Sequence, residues 1–122
     1  GLRGNNNVHR PEDRENFTAM MTELRQALDA EGRSRRRQYL LTFAAGAFPD
    51  FIATTEMDKV QAVVDFVNLM TYDFRTSDPI AGHHANLYLH PADTKKRSVD
   101  SAVREFIAAG VPPAKIVVGV PF

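Results

Sequence analysis

The stretch that decides the fold is Phe66-Val67-Asn68-Leu69-Met70-Thr71-Tyr72, and Asp73 follows it directly. Side chains of an extended strand alternate between two faces. One face carries Val67, Leu69 and Thr71 and suits packing against helices. The other carries Asn68, Met70 and Tyr72, a mixed polar set that suits a barrel interior. Tyr72 and Asp73 fall at the carboxyl end of the strand, where parallel α/β folds place their active sites. The same positions also suit a half-buried strand residue and a residue that caps the next loop.

Apolar runs on both sides of this stretch predict the other strands. Residues 39–45 and 115–120 are short and almost continuously apolar, as strands buried in a sheet are. Residues 46–54 and 73–97 are polar or contain Pro and Gly, and they are predicted as loops. The second of these loops exceeds the usual connection length, which makes it a candidate functional loop.

Amphipathic patterns and capping residues predict the helices. The first helix is expected over about residues 12–30, with Gly32 as a left-handed stop. A second, short helix follows Thr55 as its N-cap. A third helix is capped by Ser98 and ends at Gly110.

The predicted order is helix, strand, helix, strand, helix, strand, which is typical of parallel strands joined by crossover helices. It fits either a doubly wound sheet or part of an eight-stranded barrel. Three strands and three helices are too few to cover both faces of a parallel sheet well, which favours a piece of a larger domain. The chain begins at Gly1 rather than Met and ends on the apolar residues 117–122, so we also expect it to be cut from a longer one.

Composition narrows the classes of function. The chain has 122 residues, with 15 Lys and Arg, 15 Asp and Glu, and a formal net charge of +0. A neutral chain argues against broad electrostatic binding of nucleic acid or of an anionic membrane. The sequence has 0 Cys, which excludes disulfides and thiolate sites. No apolar run approaches the roughly 20 residues that span a bilayer.

Common catalytic and metal-binding motifs are missing from the sequence. It has no Gly-rich phosphate loop, no nucleophile elbow and no His-Glu-x-x-His. The adjacent His83 and His84 would point in different directions, so we expect loop hydrogen bonds rather than metal binding. The Arg-rich residues 34–37 are expected to form a solvated connection near a helix C-terminus. We therefore predict no metal ion and no other cofactor.

Met70-Thr71-Tyr72-Asp73-Phe74 resembles the sixth-strand motif of glycoside hydrolase family 18, the chitinases. Other segments resemble this family in the correct order: the helix after the catalytic strand (residues 10–17), the fifth strand (40–46), the loop after the sixth strand (82–85) and the seventh strand with its approach (109–122). The resemblance implies an α/β fold that is a partial (β/α)8 TIM barrel, from about the fourth helix through the seventh strand. Residues 1–122 would then be part of a single catalytic domain, incomplete at both ends.

The resemblance also implies that some parts of the site lie elsewhere. Family members carry the pattern D-x-x-D-x-D-x-E, whose final glutamate is the general acid, and Gly1 resembles the residue just after that strand. The eighth strand, which usually supplies a Trp beneath the sugar, is likewise outside the chain. One departure is internal, because residues 75–79 stand where relatives often have a small residue followed by Trp. We therefore expect the isolated chain to be inactive.

The resemblance implies a substrate-assisted, retaining mechanism, which is an exception to the usual scheme of two carboxylates. The N-acetyl carbonyl of the substrate attacks the anomeric carbon while the absent glutamate protonates the leaving oxygen. Tyr72 and Asp73 are the implied catalytic residues, the first as a donor to the acetamide and the second as negative charge beside a developing cation. Met70 is the implied apolar wall beneath the sugar. Ala45 and Phe122, also at strand ends, are further substrate-binding candidates.

The function implied for the complete protein is endo-hydrolysis of β-1,4-linked N-acetylglucosamine polymers. Its partner would be chitin or a chitooligosaccharide, and the protein would be secreted and monomeric. One alternative on the same fold is a chitinase-like lectin that has lost the acid. Another is a relative, such as an endo-N-acetylglucosaminidase, that cleaves N-glycan cores or peptidoglycan-type substrates. A small, complete, doubly wound ligand-binding domain is the third.

Overall fold

Three parallel strands form one sheet in the described part of this computed structural model, which comprises residues 6–76 and 81–122. The elements, in chain order, are α1 (Asp13–Arg35), β1 (Thr42–Gly46), α2 (Pro49–Ala53), α3 (Met57–Val63), β2 (Phe66–Met70), α4 (Val99–Ala108), a 3₁₀ turn (Pro113–Lys115) and β3 (Ile116–Val118). The spatial order of the strands is β1-β2-β3. The prediction of an α/β fold with parallel strands is therefore confirmed.

The two faces of β2 differ as the alternation predicts. Val67, Leu69 and Thr71 are buried, at 0%, 1% and 0% exposure. On the opposite face Asn68 is half-buried and Met70 is exposed. The register places Phe66 beside Thr42 and Met70 beside Gly46, so β1 and β2 reach the same edge of the sheet.

A row of phenylalanine rings connects the helices to the buried face of the sheet. Phe17 of α1 meets Phe43 of β1 edge-on, with ring centroids 5.3 Å apart. Phe43 stacks on Phe51 of α2 at 6.3 Å, and Phe51 stacks on Phe106 of α4 at 6.2 Å. Offset and edge-to-face aromatic pairs add to the stabilisation from burial. The row therefore joins α1, α2 and α4 through one core.

The C-terminus of α1 differs from the prediction. Gly32 does not stop the helix, which continues to Arg35, and Arg36 takes the left-handed conformation at φ 53°. Gly32 is buried, and a Cβ at this position would collide with the carbonyl oxygen of Arg37. The backbone of Arg37 returns onto the helix and donates to the Gly32 carbonyl at 2.9 Å. Gly32 is thus required for a close approach of backbone rather than for a left-handed turn.

The segment predicted as the loop 46–54 contains a helix. Pro49 stands in the first turn of α2, where its missing N–H costs nothing. The prediction of Thr55 as the N-cap of the next helix is wrong, because Glu56 occupies that position. The Thr55 hydroxyl instead donates to the Phe51 carbonyl at 2.7 Å and so completes the preceding turn.

The strand ends also differ by a few residues from the predicted runs. The ladder of β2 ends at Met70, and β3 pairs only over Ile116–Val118. Lys115 belongs to the 3₁₀ turn, from which its Nζ donates to the Gln61 and Val64 carbonyls at 2.5 and 2.9 Å. The side chain therefore joins the C-terminal end of α3 to the start of β3.

The prediction for α4 is confirmed at both ends. The Ser98 hydroxyl accepts from the Ser101 N–H at 3.1 Å, and the Ser101 hydroxyl accepts from the Ser98 N–H at 3.0 Å. This reciprocal pair is a capping box. Gly110 follows the helix with φ 93°, which a residue with a Cβ rarely adopts. Within residues 6–76 and 81–122, no helix is long and apolar enough to cross a bilayer.

Candidate active site

The candidate site begins where the chain leaves β2. Met70 is 37% exposed on the mixed polar face, and Tyr72 is half-buried. Asp73 is exposed and takes the left-handed conformation at φ 57°, which Asp tolerates better than most residues. A phenol, a carboxylate and a thioether thus lie within four consecutive residues at the carboxyl end of a parallel strand. A phenol can donate a hydrogen bond, and a carboxylate can accept one or stabilise positive charge.

The backbone next to Tyr72 is held by the end of β3. The Thr71 hydroxyl donates to the Gly119 carbonyl at 2.7 Å. The Gly119 N–H donates to the Leu69 carbonyl at 2.9 Å, and the Thr71 N–H reaches the same oxygen at 2.9 Å. A Cβ on Gly119 would lie 2.9 Å from Cε1 of Tyr72, so the ring rests against the glycine. Sequence reasoning assigned no role to Gly119.

One of the two adjacent histidines lies beside Asp73. The Phe74 N–H donates to the His84 carbonyl at 2.9 Å, and Nδ1 of His84 is 3.8 Å from Oδ1 of Asp73. Phe74 is 1% exposed and meets the Phe48 ring edge-on at 6.2 Å. The hydrogen bond to His84 and the buried Phe74 side chain therefore hold the backbone beside the contact between His84 and Asp73. Sequence reasoning missed it, because ten intervening residues give no local signal of their separation in space.

Described residues of the loop after Asp73 line a cavity of about 310 Å³. A short ion pair forms part of its wall, with Arg75 Nη2 2.6 Å from Asp93 Oδ1 and each side chain 9% exposed. Asn86 and both His83 and His90 also line the cavity. Asn86 donates to the Tyr88 and Arg97 carbonyls at 2.8 Å each and so orders the loop. The internal departure from the family pattern at residues 75–79 falls partly on residues 77–80, which lie outside the described residues.

Two of the substrate-binding candidates do not join this group. Ala45 is 0% exposed and belongs to the core with Val67 and Leu69, and its contact with substrate stays a prediction. Its side chain points to the helix-covered face of β1, as the strand alternation requires. Phe122 is fully exposed beyond the end of β3. Only Met70, Tyr72 and Asp73 of the sequence candidates lie together at the end of β2 in the described part of the chain.

Shifted pKa values occur away from this group. The hydrogen bond from Lys59, with Nζ 2.7 Å from the carboxylate, lowers the pKa of Glu56. A backbone hydrogen bond from Arg10 lowers the pKa of Asp13, and burial raises the pKa of Glu105 on α4. Within the described residues, no group of three His, Asp or Glu side chains could hold a metal ion.

Residues 3–122 match the sequence model of the family described as glycosyl hydrolases family 18. The chain belongs to this family. Chitinase A1 of Niallia circulans is 42% identical over 130 residues, in a match that covers 100% of this chain and 18% of that protein. The resemblance that begins at Met70 is therefore confirmed at the level of the family.

Solved structures of similar proteins agree with the fold. An N-acetylglucosaminidase of the family from Paenibacillus barengoltzii superposes with a TM-score of 0.88 and 46% identity, covering 91% of this chain and 33% of that one. Chitinase ChiA74 from Bacillus thuringiensis superposes with a TM-score of 0.92 and 39% identity, covering 96% of this chain and 19% of that one. The chain thus spans between a sixth and a third of the length of these relatives.

Proposed function

We propose that the protein to which this chain belongs is a family 18 chitinase that hydrolyses β-1,4-linked N-acetylglucosamine polymers. The observation that carries the proposal is the group Met70, Tyr72 and Asp73 at the carboxyl end of β2. A donor, an acceptor and an apolar wall there fit an acetamide-bearing sugar. The names of the relatives support the same class, since two are chitinases and one is an N-acetylglucosaminidase.

We also propose that residues 1–122 form part of one (β/α)8 barrel, from about its fourth helix through its seventh strand. The unequal cover of the two faces of β2 supports this, because barrel strands have one face against helices and one toward the barrel interior. A barrel of this kind takes about 250 residues. The general acid would then stand on a strand outside these residues, as the family pattern implies.

Each group has a distinct part in the proposed mechanism. The phenol of Tyr72 donates to the oxygen of the substrate acetamide and orients it toward the anomeric carbon. The carboxylate of Asp73 stabilises the positive charge that develops as the oxazolinium-like ring forms. Met70 contacts the apolar face of the sugar through its side chain. The substrate-binding role of Phe122 remains part of the proposal, as do action outside the cell and a monomeric state.

The first prediction tests the catalytic pair in the protein with its complete barrel. We expect Tyr72→Phe and Asp73→Asn each to lower kcat by about ten- to a thousand-fold, as loss of a positioned donor or charge does. Turnover is measured with a fluorogenic chitooligosaccharide and with polymeric chitin. Tyr88→Phe and Asp50→Asn are matched controls at exposed positions and should leave turnover unchanged.

Near-normal turnover in both site variants would contradict the assignment of Tyr72 and Asp73. Binding of chitooligosaccharide without any turnover by the unmodified protein would favour a chitinase-like lectin instead. Cleavage of N-glycan cores in preference to chitin would favour an endo-N-acetylglucosaminidase. The residue at the end of the strand preceding Gly1 distinguishes an enzyme from a lectin before any assay, because a glutamate there supports an enzyme.

A further inference from the structure

The residue before Tyr72 is bound to a strand that is distant in sequence. Thr71 is 0% exposed, and its hydroxyl donates to the Gly119 carbonyl, 48 residues further along the chain. At 2.7 Å this is a short hydrogen bond between hydroxyl and carbonyl groups. Thr71 is buried, whereas the neighbouring Tyr72 is half-buried. The hydroxyl therefore holds the backbone from which the Tyr72 ring projects.

The Tyr72 ring occupies space that a side chain at position 119 would fill. A Cβ there would lie 2.6 Å from the Leu69 carbonyl oxygen and 2.9 Å from Cε1 of Tyr72. The first contact involves backbone, which cannot move aside without opening the pairing of β2 with β3. Within the described residues only Gly110 among the glycines has a positive φ, so Gly119 is required for close approach rather than for conformational freedom.

These two contacts act on the same ring from different directions. The Thr71 hydroxyl bonds the end of β2 to the Gly119 carbonyl, and Gly119 provides the surface on which the ring lies. A displacement of about 1 Å in a catalytic group can cost a hundred-fold in rate. The place of the Tyr72 phenol therefore depends on both residues.

We propose that Thr71 and Gly119 are positioning residues that set the place of the Tyr72 phenol. The inference rests on the proposed function of Tyr72. Thr71 is buried and Gly119 has no side chain, so both act on the transition state through Tyr72. Loss of either contact should lower kcat more than it raises KM, since the phenol is proposed to matter most as charge develops.

The test compares Thr71→Val, Thr71→Ser and Gly119→Ala in the protein with its complete barrel. Thr71→Val should lower kcat by about five- to fifty-fold, and Gly119→Ala by about ten- to a hundred-fold, with KM within about three-fold. Thr71→Ser keeps the hydroxyl and should retain kcat within about three-fold. Each substitution is repeated in a Tyr72→Phe background, where the further loss should be less than about two-fold because the affected phenol is already gone.

Circular dichroism and thermal unfolding report whether each variant is folded. Thr71→Val removes one hydroxyl group and keeps nearly the same shape, so it decides the test if Gly119→Ala does not fold. A folded Thr71→Val protein with normal kcat would overturn the inference, as would an equal loss in the unmodified and Tyr72→Phe backgrounds. If Tyr72→Phe alone has normal turnover, the proposed function of Tyr72 is wrong. The two outcomes above contradict only the positioning roles of Thr71 and Gly119.

Discussion

Neighbouring residues of the loop after β2 differ widely in their surroundings. His83 lines the cavity of about 310 Å³, whereas His84 lies 3.8 Å from the Asp73 carboxylate. Two successive side chains point in different directions, as the sequence predicts for adjacent histidines. Which of them meets Asp73 depends on the hydrogen bond between the Phe74 N–H and the His84 carbonyl.

The buried ion pair between Arg75 and Asp93 yields a prediction for this loop. Asp93→Asn removes the carboxylate that lies 2.6 Å from the Arg75 guanidinium, so it should lower the free energy of unfolding by about 1–3 kcal/mol. The side chains of the pair are each 9% exposed. Urea denaturation measures the change.

Asp100→Asn is the matched control for Asp93→Asn, because it breaks an ion pair with Arg104 at the surface. In that pair the Arg104 side chain is 76% exposed and the separation is 2.9 Å. Exposed pairs of this kind contribute little to stability, so Asp100→Asn should cost less than Asp93→Asn does. Equal losses in the two variants would show that the Arg75 pair contributes no more than a surface pair.

At the scale of elements, capping chemistry was a better guide in α4 than in α3. Ser98 and Ser101 form the predicted N-terminus of α4 because their hydroxyls reach each other's backbone N–H groups within one turn. Thr55 has the same chemistry but is occupied by the end of α2. A cap residue can be read from sequence only when no preceding turn competes for its hydroxyl.

A further prediction follows from the capping box of α4. Ser98→Ala removes an acceptor for the Ser101 N–H at a residue that is 1% exposed. Loss of an N-cap costs about 0.5–2 kcal/mol, so the melting temperature should fall. Ser34→Ala, in the exposed last turn of α1, is the control and should change stability by less than about 0.5 kcal/mol. An unchanged melting temperature for Ser98→Ala would refute the assigned cap.

At the scale of the whole molecule, the two ends of the sheet differ in chemistry. Asp65, just before β2, accepts from the Leu41 N–H at 2.6 Å and from Arg25 of α1 at 3.2 Å. Arg25 also donates to the Tyr39 carbonyl at 3.0 Å. These bonds join α1 to the amino ends of β1 and β2. The candidate site occupies the carboxyl ends, which is the usual division in parallel α/β folds between a stabilising end and a functional end.

The pH dependence of stability offers a test of how α4 is buried. Burial raises the pKa of Glu105 above its ordinary value of 4.5, so the folded state binds this proton more tightly than the unfolded state does. The stabilisation from the protonated form is complete below 4.5 and is lost as the pH rises through the raised pKa. Above that pKa the charged carboxylate is a constant cost.

Glu105→Gln should therefore raise the melting temperature at pH 7. The difference from the unmodified protein should shrink as the pH approaches 4 and protonated Glu becomes equivalent to Gln. Thermal unfolding followed across this pH range measures it. The exposed Glu23 provides the control, since Glu23→Gln should change the melting temperature at pH 7 by less than Glu105→Gln does. A constant difference between the Glu105→Gln and unmodified proteins at all pH values would contradict the burial effect.

Local patterns were sufficient to derive the alternation of helices and strands, the two faces of β2 and the cap of α4. Periodicity and capping act between residues that are close in sequence, so they can be read before folding. The motif at Met70 was also enough to indicate the family, because its residues are consecutive. The short α2 was missed, because Pro49 suits the first turn of a helix as well as it suits a loop.

Long-range contacts decide the structural features that the sequence did not predict. The burial of Ala45, the close approach at Gly32 and the contact of His84 with Asp73 each depend on backbone that returns from elsewhere in the fold. The same holds for the hydrogen bond from Thr71 to Gly119, which joins residues 48 positions apart. Sequence patterns carry no record of such distances. A local motif therefore indicates Tyr72, whereas the residues that hold its ring in place become visible only when β2 and β3 lie side by side.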